Sequence, residues 1–253
     1  MMTKRVVVCL DVLGGRVVKG VRFVDLRDQG EPTDLAARYE LEGADEIVFL
    51  DIGAAPEERA TLLDLVRRTA ERLFIPLTVG GGIRTADDVA RTLRSGADKV
   101  TLNTAAVEHP EVIRASADRF GAQCVVVSID AARHPNGWRV FVNGGRVATD
   151  LDAVSWAEAA ASRGAGELLV TSIDRDGGRS GYDLDLLAAV SRAVDVPVVA
   201  SGGAGTPAHL VEALTVGEAS AVLVAGILHQ GQTTVRQLKE AMIEAAIPTR
   251  RTW

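Results

Sequence analysis

The sequence has few of the features that mark nucleic-acid-binding, exported or membrane proteins. Positive charge is not in excess, because 28 lysines and arginines stand against 34 aspartates and glutamates, which gives a net charge of −6. This balance offers no electrostatic case for a nucleic-acid partner or an anionic membrane surface. Anionic ligands must therefore be bound by local groups.

Long apolar runs and cysteines are also scarce. The N-terminal apolar run, Val6 to Leu10, is shorter than the core of a signal peptide and is followed by Asp11, so we interpret it as a strand. Cys9 and Cys124 lie in valine-rich runs, where reduced buried thiols are expected rather than a disulfide or a metal site. We expect a cytoplasmic protein without a membrane span.

The four histidines offer no recognisable metal site. They stand at positions that match neither HxxxH nor HExxH spacing: His109, His134, His209 and His229. We interpret them as surface or loop residues, and expect neither a metal nor a cofactor.

Eight short β-branched runs alternate with longer amphipathic stretches. The runs are RVVVCLD, EIVFLD, IPLTVG, ADKVTLN, QCVVVSID, ELLVTSID, VPVVASG and SAVLVAG. A β-then-α order is typical of parallel sheets, and eight such units can close into a ring. The chain of 253 residues, 47% of them hydrophobic, matches the roughly 250 residues of a typical barrel. The sequence therefore predicts one domain over residues 1–253 with the (β/α)8 TIM-barrel fold.

The second half of the sequence repeats the first. The segment IPLTVGGGIRTADDV, around Pro76, matches VPVVASGGAGTPAHL, around Pro197, and Glu46 matches Glu167 at the same spacing. Such a repeat indicates two similar half-barrels, approximately residues 1–121 and 122–253. An open doubly wound sheet is the structural alternative, but it predicts no half-length repeat.

Two glycine-rich turns at matching places are candidate phosphate sites. Glycines after a strand let backbone N–H groups approach an anion, and the next helix adds the partial positive charge of its N-terminus. Turns after strands 3 and 4 lie opposite those after strands 7 and 8, so the duplication predicts an elongated ligand with a phosphate at each end. Tight turns alone are the alternative interpretation. The candidate contacts are Gly81, Gly82, Asn103, Thr104, Gly202, Gly203, Ala225 and Gly226, with Thr171, Asp176, Gly177 and Ser201 at the same barrel face.

Asp11 and Asp130 are predicted to end strands 1 and 5, which are opposed in the ring. The carboxyl ends of barrel strands carry catalytic groups, and two facing acids suit acid–base chemistry when their surroundings separate their pKa values. Capping of the next loop is the alternative, but the duplication favours catalysis. Asp51 and Asp174 are weaker candidates.

Two further features lie at opposite ends of the predicted barrel. The long connection from Val12 to Pro32 resembles a substrate-gripping lid, with Lys19 as its anion contact. At the other end, charged residues begin strands 1, 2, 4 and 6, and taken alone they favour a salt-bridged plug of the barrel floor. These residues are Arg5, Glu46, Lys99 and Glu167.

Eight motifs occur in order along nearly the whole chain. They are CLDVLGGRVVKG, VFLDI, VGGGIR, GADKVTLNTAAV, SIDA, GAGELLVTSIDRDG, GYD and ASGGAG. Together they resemble the cyclase subunit of imidazole glycerol phosphate synthase. The resemblance implies a lyase of histidine biosynthesis that forms a heterodimer with a glutaminase subunit, which supplies ammonia. The implied substrate is the two-phosphate phosphoribulosyl-formimino derivative of aminoimidazole carboxamide ribotide. The implied products are imidazole glycerol phosphate and aminoimidazole carboxamide ribotide.

The resemblance also assigns roles to residues. The family's catalytic aspartates fall on Asp11 and Asp130, and its lid lysine falls on Lys19. Its ammonia gate falls on the floor residues Arg5, Glu46, Lys99 and Glu167, which turns the plug into an entrance. The chain departs from the family pattern by lacking expected hydroxyl or charged side chains at Gly53, Gly178, Gly226 and Gly14, and by having Ser128 for an alanine.

Two other functions remain open from the sequence. The isomerase one step earlier in the same pathway shares the half-barrel repeat, the twin turns and the paired aspartates, but it needs no ammonia. A non-catalytic scaffold for phosphate ligands would bind the same substrate without turnover.

Overall fold

A closed ring of eight parallel strands forms the centre of the molecule. The computed structural model describes residues 3–21, 24–53 and 56–251, without the side chains of residues 19–28 and 54–60. The strands in these ranges are β1 (Arg5–Leu13), β2 (Arg16–Val21), β3 (Val24–Gly30), β4 (Glu46–Asp51), β5 (Leu77–Gly80), β6 (Lys99–Leu102), β7 (Val125–His134), β8 (Gly137–Val142), β9 (Val147–Asp152), β10 (Glu167–Ser172), β11 (Val198–Ser201) and β12 (Ala221–Val224).

Helices connect most of these strands. They are α1 (Pro32–Glu42), α2 (Pro56–Ala70), α3 (Ala86–Arg94), α4 (Thr104–Glu108), α5 (Glu111–Phe120), α6 (Ala153–Ser162), α7 (Leu184–Ala193), α8 (Pro207–Thr215), α9 (Gly226–His229) and α10 (Val235–Glu244), and a short 3-10 helix (Ala122–Cys124) precedes β7. Within the described ranges, no helix is both long enough and apolar enough to cross a membrane.

The ring runs in the order β1, β4, β5, β6, β7, β10, β11, β12, with every pairing parallel. It closes where β12 pairs with β1, from Arg5 opposite Ala221 to Val8 opposite Val224. These strands match the eight β-branched runs of the sequence, so the predicted (β/α)8 barrel is confirmed. An open sheet would leave two edge strands unpaired.

Two antiparallel extensions interrupt the simple strand–helix alternation. Beyond the ring, at the mouth of the barrel, β1 continues to Leu13 and pairs with β2, and β2 in turn pairs with β3. In the second half, β7 continues to His134 and pairs with β8, which pairs with β9. The prediction that Asp11 and Asp130 end their strands was therefore wrong in detail, because antiparallel pairing prolongs both strands beyond the ring. The predicted lid consists largely of β2 and β3, and Arg22 and Phe23 lie outside the described residues.

Side chains alternate between the barrel interior and the surrounding helices. On β1, Val6, Val8 and Leu10 join the layer between strands and helices, whereas Val7 and Cys9 join an interior cluster. This alternation follows from the two-residue period of a strand. The interior cluster comprises Val7, Cys9, Val48, Val126, Leu169, Val199, Ala221 and Leu223. Residues that share the interior face of β1 therefore form a column from the floor of the barrel to its mouth.

Local caps determine where several helices begin. Thr85 forms a capping box with Asp88 at the start of α3, and Thr234 forms one with Gln237 at the start of α10. Such caps satisfy backbone N–H groups that have no partner within the helix. The helices can then bury their apolar faces on the barrel, which positions the turns that follow each strand.

The two cysteines lie in different environments. Cys9 is buried inside the barrel, Cys124 is half-buried beside β7, and neither forms a disulfide. Burial raises the pKa of the Cys124 thiol, and the nearby charge of Asp98 raises it further.

Candidate active site

Asp11 and Asp130 occupy matching levels at the mouth of the barrel. Asp130 lies opposite Thr171 in the sheet register, and Thr171 lies opposite Ser201. In the other half, Asp11 is aligned with Leu50 of the neighbouring strand. Because β1 and β7 are four places apart in a ring of eight, the two aspartates lie on opposite sides of the mouth.

Asp130 lies in surroundings that favour a retained proton. Its carboxylate Oδ2 accepts a hydrogen bond of 2.9 Å from Nδ2 of Asn103. Burial raises the pKa of Asp130, the Asn103 bond lowers it and the nearby charge of Asp176 raises it, with a resulting value of about 6. A carboxyl group that titrates this close to neutral pH is suited to proton transfer.

Asp11 has different neighbours. It is buried, and its Oδ1 accepts a weak hydrogen bond of 3.7 Å from the Cys9 thiol. In the half that carries Asp130, Asn103 immediately precedes α4, whereas Ala225 holds the matching place before α9 and offers no amide. The repeat therefore supplies two aspartates at equivalent places but gives them unlike surroundings, which is the arrangement that acid–base chemistry requires.

The two glycine turns share the same backbone geometry. Gly81 and Gly82 have φ values of 95° and 61°, and Gly202 and Gly203 have φ values of 86° and 106°. A Cβ atom at Gly81 would lie 2.1 Å from the carbonyl oxygen of Asp51, and one at Gly202 would lie 2.6 Å from that of Ser172. Glycine is therefore required here for two reasons, the positive φ and the close approach of the neighbouring loop.

The short helices α4 and α9 follow strands 4 and 8 of the ring. The first residue of α4, Thr104, accepts a hydrogen bond of 2.9 Å from the backbone N–H of Asn143, so its hydroxyl already holds the turn between β8 and β9. Oδ1 of Asn103 is buried and has no hydrogen-bond partner in the described part of the chain. A buried acceptor of this kind can receive a hydrogen bond from a ligand.

The other predicted contacts surround Asp130. Thr171 and Ser201 are half-buried at the mouth, Asp176 lies near enough to act on Asp130 electrostatically, and Gly177 is exposed. The backbone of Lys19 lies in β2 opposite Arg27, while its side chain is outside the described residues.

A ring of alternating charges lies at the floor of the barrel. Lys99 Nζ lies 2.8 Å from a carboxylate oxygen of Glu46 and 2.8 Å from one of Glu167. Arg5 lies 2.9 Å from Glu46 and also contacts Glu167, while Thr78 donates to Glu46 over 2.5 Å. The carboxylate side chains of Glu46 and Glu167 are only 4% and 7% exposed.

These contacts stabilise the ionised forms of the floor side chains Glu167 and Arg5. Burial alone raises the pKa of Glu167, but the hydrogen bond and charge of Arg5, together with Lys99, hold that pKa below its usual value. Burial likewise lowers the pKa of Arg5, but Glu167 and Glu46 raise it overall. The four predicted floor residues are thus brought together in one ion-paired ring.

The interpretation of His229 as a surface or loop residue was wrong. It lies in α9 and is half-buried, with Nε2 3.0 Å from the backbone oxygen of Cys9 and Nδ1 2.7 Å from the hydroxyl of Tyr39. A carbonyl only accepts, so Nε2 carries the proton and the Tyr39 hydroxyl donates to Nδ1. These partners lie far away along the chain, so the sequence contains no local signal for them. His209 is also half-buried, on α8.

Metal binding has no geometric support in the described ranges. No group of three or more histidine, cysteine, aspartate or glutamate side chains there is arranged to hold a metal ion.

Comparisons with known proteins identify the family of the chain. The family model described as histidine biosynthesis protein matches residues 5–234. Imidazole glycerol phosphate synthase subunit HisF of Myxococcus xanthus is 64% identical over 99% of both chains. The protein of the same name from Metallosphaera sedula is 58% identical over 99% of this chain and 100% of its own length. That from Thermosynechococcus vestitus is 55% identical over 99% of this chain and 91% of its own.

Proposed function

Because the chain belongs to the histidine biosynthesis protein family, as a cyclase subunit of imidazole glycerol phosphate synthase, we propose that Asp11 and Asp130 are its catalytic acid–base pair. The substrate is the phosphoribulosyl-formimino derivative of aminoimidazole carboxamide ribotide, and ammonia is the second reactant. The observation that carries the proposal is the placement of two carboxyl groups at matching levels in unlike surroundings.

A pKa of about 6 supports the proton-donor role that we propose for Asp130. Roughly one molecule in ten retains this proton at pH 7. Asp130 donates it to the carbonyl oxygen of the ribulosyl arm as ammonia adds to the carbonyl carbon, and Asp11 accepts a proton from the adding nitrogen. Loss of water leaves an imine. The imine nitrogen then attacks the formimino carbon, whose bond to the amino nitrogen of the ribotide breaks. The imine nitrogen and the neighbouring methylene carbon each release one proton, and the leaving nitrogen takes up two, which gives the aromatic imidazole and the free amine of the ribotide.

The two glycine turns bind the two phosphates of this substrate. Consecutive residues with positive φ, as at Gly81–Gly82 and Gly202–Gly203, are found in backbone concavities that bind anions. The N-termini of the helices that follow add partial positive charge. Gly226 lacks a side-chain hydroxyl but keeps a backbone N–H that can donate. Lys19, whose backbone lies in β2, is the residue that we propose to supply a cation to a substrate phosphate.

The floor ring is the entrance for ammonia from a glutaminase partner that docks on this end of the barrel. Phe74, just before β5, is 94% exposed, and Leu41, near the end of α1, is 83% exposed. Both precede barrel strands, so they lie at the floor end, near Glu46 and Lys99. Large exposed apolar side chains are typical of protein–protein contact surfaces. The end of the barrel to which we assign the partner therefore carries exposed apolar side chains as well as the ring of charges.

An ammonium-dependent turnover assay tests the proposal. Conversion of the two-phosphate substrate only when ammonium is added supports the cyclase site. Conversion of the isomerase substrate without ammonium would assign the site to the isomerase reaction. Binding of either substrate without turnover would leave a phosphate-binding scaffold.

A further inference from the structure

We propose that residues 181–183 form a clamp that positions the second phosphate turn, with Tyr182 and Asp183 as positioning residues for substrate binding. The inference rests on the proposed phosphate site at Gly202 and Gly203. It gives a role to the GYD motif, residues 181–183, which has no part in the proposed acid–base reaction, phosphate contacts or ammonia entrance.

The clamp lies directly against the phosphate turn. The backbone N–H of Gly181 donates to the carbonyl oxygen of Gly203 over 2.9 Å. A Cβ atom at Gly203 would lie 2.2 Å from the Gly181 carbonyl oxygen, and one at Gly205 would lie 2.2 Å from that of Arg179. Two backbone segments thus touch at a distance that only glycine permits, so the conformation of the turn depends on where the clamp lies.

Tyr182 fixes the clamp to the neighbouring strand. Its side chain is buried, and its hydroxyl donates to the backbone oxygen of Leu223 over 2.9 Å. Burial raises the pKa of Tyr182, so the hydroxyl stays protonated and remains a donor. Leu223 lies on β12, which leads into Ala225 and α9. The clamp therefore contacts the turn after strand 7 of the ring through the backbone of Gly181 and strand 8 through the side chain of Tyr182. That turn and the residues that follow strand 8 together make up the proposed phosphate site.

Asp183 connects the clamp to the side of the mouth that carries Asp130. Its Oδ1 accepts from the backbone N–H of Leu186 over 3.1 Å and caps α7, while its Oδ2 accepts from Nε1 of Trp138 over 3.0 Å. Trp138 lies on β8, which pairs with β7 and holds Phe141 opposite Asp130. Asp130 and the phosphate turn are therefore held by one continuous set of contacts.

The Tyr182→Phe variant tests the clamp, because it removes the hydroxyl and preserves the ring. With ammonium as the nitrogen source, we expect the KM for the two-phosphate substrate to rise roughly three- to tenfold, as for loss of one hydrogen bond. We expect kcat to stay within about twofold, since the variant leaves both aspartates unchanged. In crystals soaked with inorganic phosphate, anion occupancy at Gly203 should fall relative to occupancy at Gly82, which serves as an internal reference.

Two further variants separate positioning from stability. Trp138→Phe removes the donor to Asp183 and also shortens an aromatic side chain that lies under the Arg133 guanidinium. It should raise KM in the same direction by a smaller factor, and it also tests the clamp if Tyr182→Phe does not fold. Ile113→Val, in the buried face of α5, lowers stability without touching the clamp and should leave KM unchanged.

The outcomes distinguish the clamp from the phosphate site. If phosphate occupies the turn at Gly203 in crystals of the parent protein while Tyr182→Phe and Trp138→Phe change only the melting temperature, as Ile113→Val does, the phosphate site stands and the clamp is wrong. If the parent protein binds phosphate at neither turn, the proposed phosphate site fails and the clamp fails with it. A rise in KM and selective loss of anion at Gly203 in Tyr182→Phe would support both.

Discussion

The side-chain amide of Asn103 donates a hydrogen bond to the carboxylate of Asp130 across 2.9 Å. Burial raises the pKa of Asp130, this bond lowers it and the charge of Asp176 raises it, with a result of about 6. At the equivalent place before α9 the chain has Ala225, which has no amide. Asn103 therefore lowers the proton affinity of Asp130, and this side-chain contact has no counterpart at Ala225 in the other half-barrel.

Replacing Asn103 with Ala should move the pH dependence of the reaction. The variant loses the bond that lowers the pKa of Asp130, so that pKa should rise further above 6. If Asp130 must be protonated to act, kcat/KM falls as pH rises through this pKa, and the fall should shift to higher pH in the variant. Rates expressed per un-ionised ammonia between pH 5 and 9 measure the shift. Ser201→Ala, a truncation at the same mouth, should not move the curve, and an unmoved curve in Asn103→Ala would contradict the proposed tuning.

Changing either catalytic aspartate to Asn should reduce ammonium-driven kcat by about 10²- to 10⁴-fold, because the amide cannot transfer the proton. Circular dichroism and the melting temperature verify that Asp11→Asn and Asp130→Asn are folded. Asp87→Asn, an exposed change in the first turn of α3, serves as the matched control. If both variants turn over at the parent rate, the acid–base assignment is wrong.

Asp130→Asn should also change stability with pH. A carboxyl group whose pKa is raised to about 6 on folding, from an ordinary value of 3.8, contributes stability below pH 4 that is lost as pH rises through 6. The Asn side chain does not ionise, so the variant does not lose stability as the pH rises through 6. At pH 7 it should therefore be more stable than the parent by up to about 3 kcal/mol, and most of this difference should disappear near pH 4. Urea unfolding at the two pH values measures this, and an equal difference at both would indicate packing rather than charge.

Much of this site follows from strand periodicity and the repeat. On β1, Arg5, Val7, Cys9 and Asp11 share one face, so the sequence alone predicts a charged floor and a carboxylate at the mouth of the barrel. The distance along the strand from Arg5 at the floor to Asp11 at the mouth is roughly 20 Å. The repeat then predicts a second carboxylate on the opposite side.

Contacts between residues that are distant along the chain could not be predicted. The bonds from Asn103 to Asp130, from Tyr182 to Leu223 and from Tyr39 to His229 depend on how neighbouring turns lie over the mouth. No periodicity encodes them. The antiparallel extensions of β1 and β7 were missed for another reason, because Gly14–Gly15 and Asn136–Gly137 are dipeptides typical of hairpin turns and the sequence analysis did not use them.

The glycine turn of the first half provides a controlled test of phosphate binding. Gly82→Val should raise the KM of the two-phosphate substrate, since bulk obstructs one phosphate's approach to the backbone N–H groups. Gly231→Val has a similar positive φ of 65° and no atom within 4 Å of its Cβ, so it reproduces the backbone strain away from the turn and outside the proposed lid. Equal KM values for the two variants would indicate that strain, not phosphate contact, is responsible. In phosphate-soaked crystals, Gly82→Val should keep the anion at Gly203.

The last prediction concerns the floor, where Lys99 lies 2.8 Å from both Glu46 and Glu167. If the ring is an ammonia entrance, Lys99→Met should lower glutamine-driven turnover by at least about tenfold with the matching glutaminase present. Ammonium-driven turnover should fall much less, because dissolved ammonia can also enter from the mouth. The two assays therefore report on different routes to the same chemistry.

If the ring of charges is only a salt-bridged plug of the barrel floor, we expect a different result for Lys99→Met. Removing one partner from a buried ion pair leaves carboxylates without full compensation and lowers stability, which impairs both activities together. Lys239→Met supplies the comparison, because Lys239 is buried and lies 2.7 Å from Asp45 at a place outside the ring. Its variant should lower the melting temperature and reduce both activities in proportion. If Lys99→Met behaves in the same way, the floor is a salt-bridged plug; if it selectively reduces glutamine-driven turnover, the ring conducts ammonia.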